Sequence, residues 1–210
     1  MTAPPKIFCI GFHKTGTTSL YAALTQLGFR VSGAIGDSWT ADEIRARGAQ
    51  FCIDTMENFD AAEDMPWPHF FRELDEAFPG SKFILTVRDP DAWFTSLDNH
   101  FGHQETELNA FAYGRDSARA HGHKDHWIAT YEAHNARVRD YFQARPGDLL
   151  EMNLAEGDGW EKLCQFLDRT APETPFPVKN TSTRRHSFAY RLKRKLLLLI
   201  GVAPHPERLQ

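Results

Sequence analysis

The sequence predicts one α/β domain with a central, mostly parallel sheet and helices on both of its faces. Residues 6–10 and 82–87 are apolar almost throughout, as expected for strands that are covered on both sides. Strand and helix patterns alternate along the chain, which favours parallel strands joined by helices. With 210 residues, of which 41% are hydrophobic, the chain is long enough for a single domain over residues 1–210.

The remaining elements follow from the periodicity of apolar residues and from turn residues. Gly28 should end the first helix, Pro90 should begin the helix after strand 82–87, and Asp158 should cap the last core helix. Residues 51–60 fit neither pattern. The other predicted elements are helix 17–27, strand 31–33, helix 41–47, strand 60–64, helix 67–78, helix 126–142, strand 148–152 and helix 159–167.

The segment between the first strand and the first helix, residues 11–16, is here called the glycine loop. Gly11 and Gly16 have the spacing of a phosphate-binding P-loop. Backbone N–H groups of such a loop and the amino end of the next helix can surround a phosphate, and Thr17-Thr18 adds hydroxyl donors. Lys14 lies inside the loop, whereas nucleoside triphosphatases place lysine directly after the second glycine. The displaced lysine argues against an ordinary triphosphatase.

A second anion-binding element begins where strand 82–87 ends. Arg88 leaves the carboxyl end of this strand, which is where ligands bind in open α/β sheets. Ser96 lies two turns into the following helix, so a guanidinium and a hydroxyl can hold a second phosphate together. Alone, the turn after Arg88 is equally compatible with a structural salt bridge.

Composition limits the class of protein. The net charge of −4 and the pI of about 6.2 argue against a general nucleic-acid binder. The three cysteines are scattered without metal-ligand spacing, which is typical of reduced thiols in a cytosolic protein. The N-terminus lacks the apolar core of a signal peptide, and the longest apolar run is too short to span a bilayer. We therefore expect a cytoplasmic protein.

Both anion-binding elements resemble those of a known family, the sulfotransferases. Residues 12–20 resemble the family's 5'-phosphosulfate loop, and residues 88–96 are similar to its 3'-phosphate motif, including the Arg–Ser spacing. The resemblance to a small, soluble branch of the family covers most of the chain and departs at residues 102–124. Further matching segments are 64–66, 82–90, 159–164 and 175–177.

The resemblance implies 3'-phosphoadenosine 5'-phosphosulfate as sulfuryl donor, with a hydroxyl or amine acceptor and no essential metal. It implies that Lys14 lies at the oxygen bridging phosphorus and sulfur, where it neutralises charge on the leaving phosphate. Residues for the 5'-phosphate would be Thr15, Gly16, Thr17 and Thr18, and those for the 3'-phosphate Arg88 and Ser96.

The acceptor also needs a general base. Asp64 is the first candidate, because it follows a predicted strand that should lie beside the first strand. A helix cap for residues 67–78 is an equally good interpretation of Asp64. His13, inside the glycine loop, is the second candidate and can instead pack beside the donor or the acceptor.

Residues 102–124 are polar and rich in histidine, and we expect an irregular lid that shapes the site for a small-molecule or exposed-group acceptor. His121, His123 and His126 have no second ligand set beside them, so a metal site is not predicted.

The basic and apolar residues 184–201 predict a C-terminal helix. The resemblance implies that a late basic residue, Lys179, Arg184 or Arg185, closes over the 3'-phosphate. Alternatively the helix contacts an anionic membrane or a partner, or docks on the domain. Oligomeric state stays open.

Two other functions are compatible with parts of this pattern. A P-loop kinase for a small metabolite would need lysine after Gly16 and an acidic Mg²⁺ residue after an apolar strand, and neither is evident. A non-catalytic nucleotide-binding module would not need Lys14, Thr17, Arg88 and Ser96 together.

Overall fold

The computed structural model describes residues 5–178. Two compact units divide the chain, Met1–Phe176 and Pro177–Gln210, and nearly all described residues belong to the first. The predicted helix 184–201 lies outside the described residues, as do Lys179, Arg184 and Arg185.

A sheet of five parallel strands forms the centre of the described chain, in the order β2-β3-β1-β4-β5. The first strand therefore lies between β3 and β4, and the three carboxyl ends meet at one edge of the sheet. The predicted α/β class is confirmed. The strands are β1 Ile7–Cys9, β2 Val31–Ser32, β3 Ala61–Ala62, β4 Lys82–Thr86 and β5 Leu149–Met152.

Helices cover both faces of this sheet, because successive side chains of each strand point to opposite sides. Phe8 of β1 packs on the face covered by α2, α3 and α6, whereas Cys9 packs on the face covered by α1 and α7. The described helices are α1 Thr17–Gln26, α2 Ala41–Thr55, α3 Phe71–Ala77, α4 Pro90–Phe101, α5 Glu107–Tyr113, α6 Lys124–Phe142 and α7 Trp160–Leu167.

Two helices differ from their predicted bounds. The second helix continues to Thr55, well beyond the predicted end at residue 47, and so absorbs part of the ambiguous stretch 51–60. A capping box between Thr40 and Glu43 fixes its start. The predicted helix 67–78 is divided into a 3₁₀ turn, Trp67–Phe70, and α3.

The predicted helix cap at Asp158 is wrong. The Asp158 carboxylate accepts hydrogen bonds from the Asn153 N–H (2.7 Å) and from the Lys162 ammonium (2.8 Å). Gly159 is the N-cap of α7, and no side-chain cap bond is formed there. Pro90, in contrast, is the first residue of α4, as predicted, and the Asp89 side chain caps that helix.

The expectation that residues 102–124 are irregular is also wrong. They contain α5, which is fixed to α2 by two hydrogen bonds. The Ala41 N–H donates to the Glu107 carboxylate (2.6 Å), and the Arg45 guanidinium donates to the Ala110 carbonyl (3.1 Å). The action of this segment as a lid stays a prediction.

Candidate functional site

The glycine loop connects the buried strand β1 to the start of α1. Gly16 has φ +113°, in the left-handed region that favours glycine, and it is the N-cap of α1. A Cβ atom on Gly11 would collide with both the side chain and the backbone of Thr86 on β4. The loop therefore lies in close contact with the neighbouring strand, and glycine is required for that approach.

Side chains from several elements fix the backbone of the glycine loop. Three carbonyls of the loop and that of the preceding residue, Ile10, accept hydrogen bonds, and two of the donors, His134 and Trp93, are completely buried. Each of these carbonyls is thus held by a side chain. The bonds are His134 Nε2 to Ile10 O (2.7 Å), Thr15 Oγ1 to Phe12 O (2.5 Å), Trp93 Nε1 to His13 O (2.8 Å) and Arg88 Nη1 to Lys14 O (3.5 Å).

The threonines of the loop have different environments. Thr15 is buried, and its hydroxyl also hydrogen bonds with that of Thr86 (2.6 Å), so it joins the loop to β4. Burial raises the pKa values of the Glu63 and Asp64 carboxyl groups, and hydrogen bonding with the buried Thr17 hydroxyl partly offsets the rise. Thr18 is exposed at the first turn of α1.

Two candidate residues share an uncommon backbone conformation. Lys14 has φ +67° and Asp64 φ +69°, and the only other non-glycine residue with positive φ among residues 5–178 is the helix C-cap Asp168. Such conformations cost free energy and concentrate at functional sites. Burial raises the pKa of Asp64, and the charge of Lys14 partly offsets that rise.

Asp64 follows β3, which pairs with β1, as the sequence predicted. The helix-cap interpretation is not supported, because the turn Trp67–Phe70 has no side-chain cap and the Asp64 carboxylate accepts from the Met65 N–H (2.9 Å). A raised pKa makes the carboxylate a stronger base than an ordinary aspartate.

Glu63 is a site residue that sequence reasoning missed. It is 6% exposed, and its Oε2 atom has no hydrogen-bond partner among the residues that the structure describes. Burial, and then the charge of Asp64, raise its pKa well above the ordinary value. An acidic pair therefore does follow a strand beside the glycine loop, contrary to the argument used against a kinase.

His13 is enclosed by the aromatic rings of Trp93, Phe101, Tyr113 and Trp127. Its Nε2 atom hydrogen bonds with the Tyr113 hydroxyl (3.1 Å). Burial, with smaller contributions from the charges of Lys14 and His100, lowers its pKa to about 3. His13 is therefore neutral near pH 7 and is a weaker base than an ordinary histidine.

Arg88 follows β4, as predicted, and its backbone is fixed by α6. The Tyr131 hydroxyl accepts from the Arg88 N–H (2.9 Å) and donates to the Arg88 carbonyl (3.0 Å). The Arg88 Nε atom is buried and has no partner within the described chain. Ser96 lies half-buried on α4, two turns after the start of that helix.

A pocket of about 300 Å³ adjoins Arg88 at the carboxyl ends of β4 and β5. Asn135 lines it and is 5% exposed, with an Oδ1 atom that lacks a partner among residues 5–178. The pocket thus offers a hydrogen-bond acceptor, Asn135 Oδ1, and a hydrogen-bond donor, the Arg88 guanidinium. Its lining residues are Val87, Arg88, Asp89, Pro90, Tyr131, Glu132, Asn135, Arg139 and Asn153.

The three histidines considered as metal ligands, His121, His123 and His126, have different partners. His121 contacts Asp98 (3.3 Å), whereas His123 and His126 donate to the backbone carbonyls of Arg119 and Tyr113 (2.9 and 2.7 Å). No group of three or more potential metal ligands occurs in the described part of the chain.

The site combines a glycine loop after β1, a lysine inside that loop and an acidic pair after the neighbouring strand β3. A glycine loop at the amino end of a helix is typical of α/β proteins that bind anions. The chain belongs to the sulfotransferase domain family, which it matches over residues 6–185. It is similar to the Ava biosynthesis cluster protein M of Aspergillus versicolor. The two are 27% identical over an alignment 228 residues long, which covers 88% of this chain and 85% of that protein. No helix among the described residues is long and apolar enough to cross a membrane.

Proposed function

We propose that the protein transfers a sulfuryl group from 3'-phosphoadenosine 5'-phosphosulfate to a hydroxyl or amine and releases adenosine 3',5'-bisphosphate. The observation that carries the proposal is the fixed backbone of the glycine loop. Because its carbonyls are bonded to surrounding side chains, the loop and the amino end of α1 form a preorganised anion site around Lys14.

The two phosphates of the donor match two separate parts of the site. The 5'-phosphate would contact the backbone at Gly16 and the hydroxyls of Thr17 and Thr18. The Thr15 hydroxyl is used inside the protein, so Thr15 would act by shaping the loop. The 3'-phosphate would pair with Arg88 and Ser96, and the adjoining pocket of about 300 Å³ would take part of the nucleoside.

Transfer would be in line and loose, by analogy with phosphoryl transfer. Asp64 would accept the proton of the attacking hydroxyl or amine while a new bond forms from that atom to sulfur. The bond between sulfur and the bridging oxygen would break, and its electron pair would stay on the phosphate. Lys14 would stabilise this negative charge, which is larger in the transition state than in the bound donor.

A small molecule is the favoured class of acceptor. The relative from Aspergillus versicolor is named as a protein of a biosynthesis cluster. Since that protein is similar along most of its length, we propose that this chain acts on a small biosynthetic intermediate rather than on a protein.

Incubation with the phosphosulfate donor and a panel of phenols, alcohols and amines tests the proposal. Release of the bisphosphate, stimulated by at least one acceptor and accompanied by a sulfated product, would support it. Phosphorylation of a panel member with ATP and Mg²⁺, with no use of the phosphosulfate, would instead establish the kinase, for which the acidic pair Glu63 and Asp64 is the favourable observation.

A further inference from the structure

The peptide that precedes Lys14 is held from two directions. Trp93 of α4 donates its indole N–H to the His13 carbonyl (2.8 Å). Tyr113 of α5 contacts the ring Nε2 of the same histidine (3.1 Å). Both aromatic residues are buried, with 0% and 3% exposure. The orientation of the His13–Lys14 peptide therefore depends on contacts at both ends of His13.

That orientation matters because Lys14 has φ +67°, a conformation that a lysine does not adopt without external support. The backbone on the other side of Lys14 is bonded to Arg88 at 3.5 Å, a long and weak contact. On the amino-terminal side of Lys14, the support comes from the His13 peptide, through Trp93 and Tyr113.

Tyr113 is itself placed firmly. Its ring stacks on that of Trp127, with centroids 3.4 Å apart, and its carbonyl accepts from His126 (2.7 Å). It is the last residue of α5, which belongs to the segment 102–124 that departs from the sulfotransferase resemblance. Burial, and then the charge of Asp64, raise the pKa of the Tyr113 phenol.

We propose that Tyr113 is a positioning residue for Lys14. Tyr113 acts through its hydrogen bond to His13 and so connects α5 to the glycine loop. The inference rests on the proposed function for its effect on transfer, although the connection itself does not. A segment remote in sequence thereby controls the orientation of the lysine.

The Tyr113→Phe variant tests this, because it removes one oxygen atom and keeps the stacking on Trp127 and the edge-to-face contact with Phe12. We expect turnover of the phosphosulfate, including its slow hydrolysis without acceptor, to fall about three- to tenfold, the range for one lost hydrogen bond between neutral groups. Binding of the bisphosphate should be unchanged within twofold. Hydrogen exchange of peptides covering residues 10–18 should be faster, whereas exchange in the sheet should not change.

Tyr141→Phe is the matched control, since its hydroxyl donates to Asp75 (2.8 Å) far along α6 from the loop. It should leave both turnover and exchange of residues 10–18 unchanged. His13→Phe should reproduce the effect of Tyr113→Phe, and the double variant should lose no more than either single one, because both break the same bond.

The outcomes separate this inference from the proposed function. Unchanged exchange of residues 10–18 in Tyr113→Phe, or additive losses in the double variant, would overturn the positioning role. Faster exchange together with no use of the phosphosulfate by the wild type would support the connection and overturn the proposed function.

Discussion

The two anion-binding regions of the site are built differently. The glycine loop is fixed by hydrogen bonds from buried side chains, and its histidine is neutral. The region around Arg88 adjoins an open pocket, and its guanidinium keeps a buried nitrogen without a partner among the described residues. Under the proposed function, the loop side would be preorganised for the chemical step, whereas the Arg88 side would gain its interactions when the ligand binds.

Removal of the charge at Lys14 should produce the largest effect. In Lys14→Met, we expect turnover of the phosphosulfate to fall about 10²–10³-fold, the usual result of losing one preorganised stabilising group. Affinity for the bisphosphate should change far less, because that product has no sulfuryl bond to break. Turnover is measured in the steady state and affinity by calorimetry. Equal losses of turnover and of affinity would show that Lys14 contributes only to ligand binding.

Gly11→Ala tests the close contact between the loop and β4. The added Cβ would meet Thr86, so we expect the free energy of unfolding to fall by about 3 kcal/mol, at the upper end for overpacking. Gly147→Ala is the control, since a Cβ there meets nothing within 4 Å. Urea unfolding measures both variants, and equal stability would contradict the described packing of the loop.

Buried histidines on the loop side should make stability depend on pH. Burial lowers the pKa of His13 and His69 to about 3 and that of His134 to about 4. The unfolded chain binds these protons near pH 6.5 and the folded one does not, so each histidine costs stability as the pH falls below about 6.5. The raised pKa values of Glu63 and Asp64 act in the opposite direction.

His69→Gln isolates one histidine from that balance. The His69 Nε2 atom has no hydrogen-bond partner within residues 5–178, so the substitution breaks no hydrogen bond of that atom. Between pH 4 and 6, the slope of the unfolding free energy should be smaller than in the wild type by about 1.4 kcal/mol per pH unit, or one proton. Urea unfolding at several pH values measures it. Parallel curves would mean that His69 is protonated in the folded protein.

Much of the loop and strand framework was predictable from the sequence because it is local. Gly11, Gly16 and Lys14 lie in one short segment, and the apolar runs at β1 and β4 are continuous. The placement of Asp64 beside β1 also followed from its position after a strand.

The groups that hold the loop were not predictable, since packing brings them from distant parts of the chain. His134 is 124 residues from Ile10, and Tyr113 is 100 residues from His13. In the sequence, His134 is one of several residues at helical spacing in the helix predicted over residues 126–142. A polar ring at the buried positions of an otherwise apolar face is the signal that could have identified it.

Calorimetric titration of adenosine 3',5'-bisphosphate, compared with ATP and Mg²⁺, tests the central claim most directly when it is made on the wild type and on Arg88→Ala. Arg47→Ala, which removes an exposed ion pair with Glu43, is the matched control. We predict micromolar-range binding of the bisphosphate that is weakened at least tenfold by Arg88→Ala, as for loss of a charged hydrogen bond, and little affinity for ATP. Preference for ATP with Mg²⁺, or equal binding by wild type and Arg88→Ala, would contradict the account.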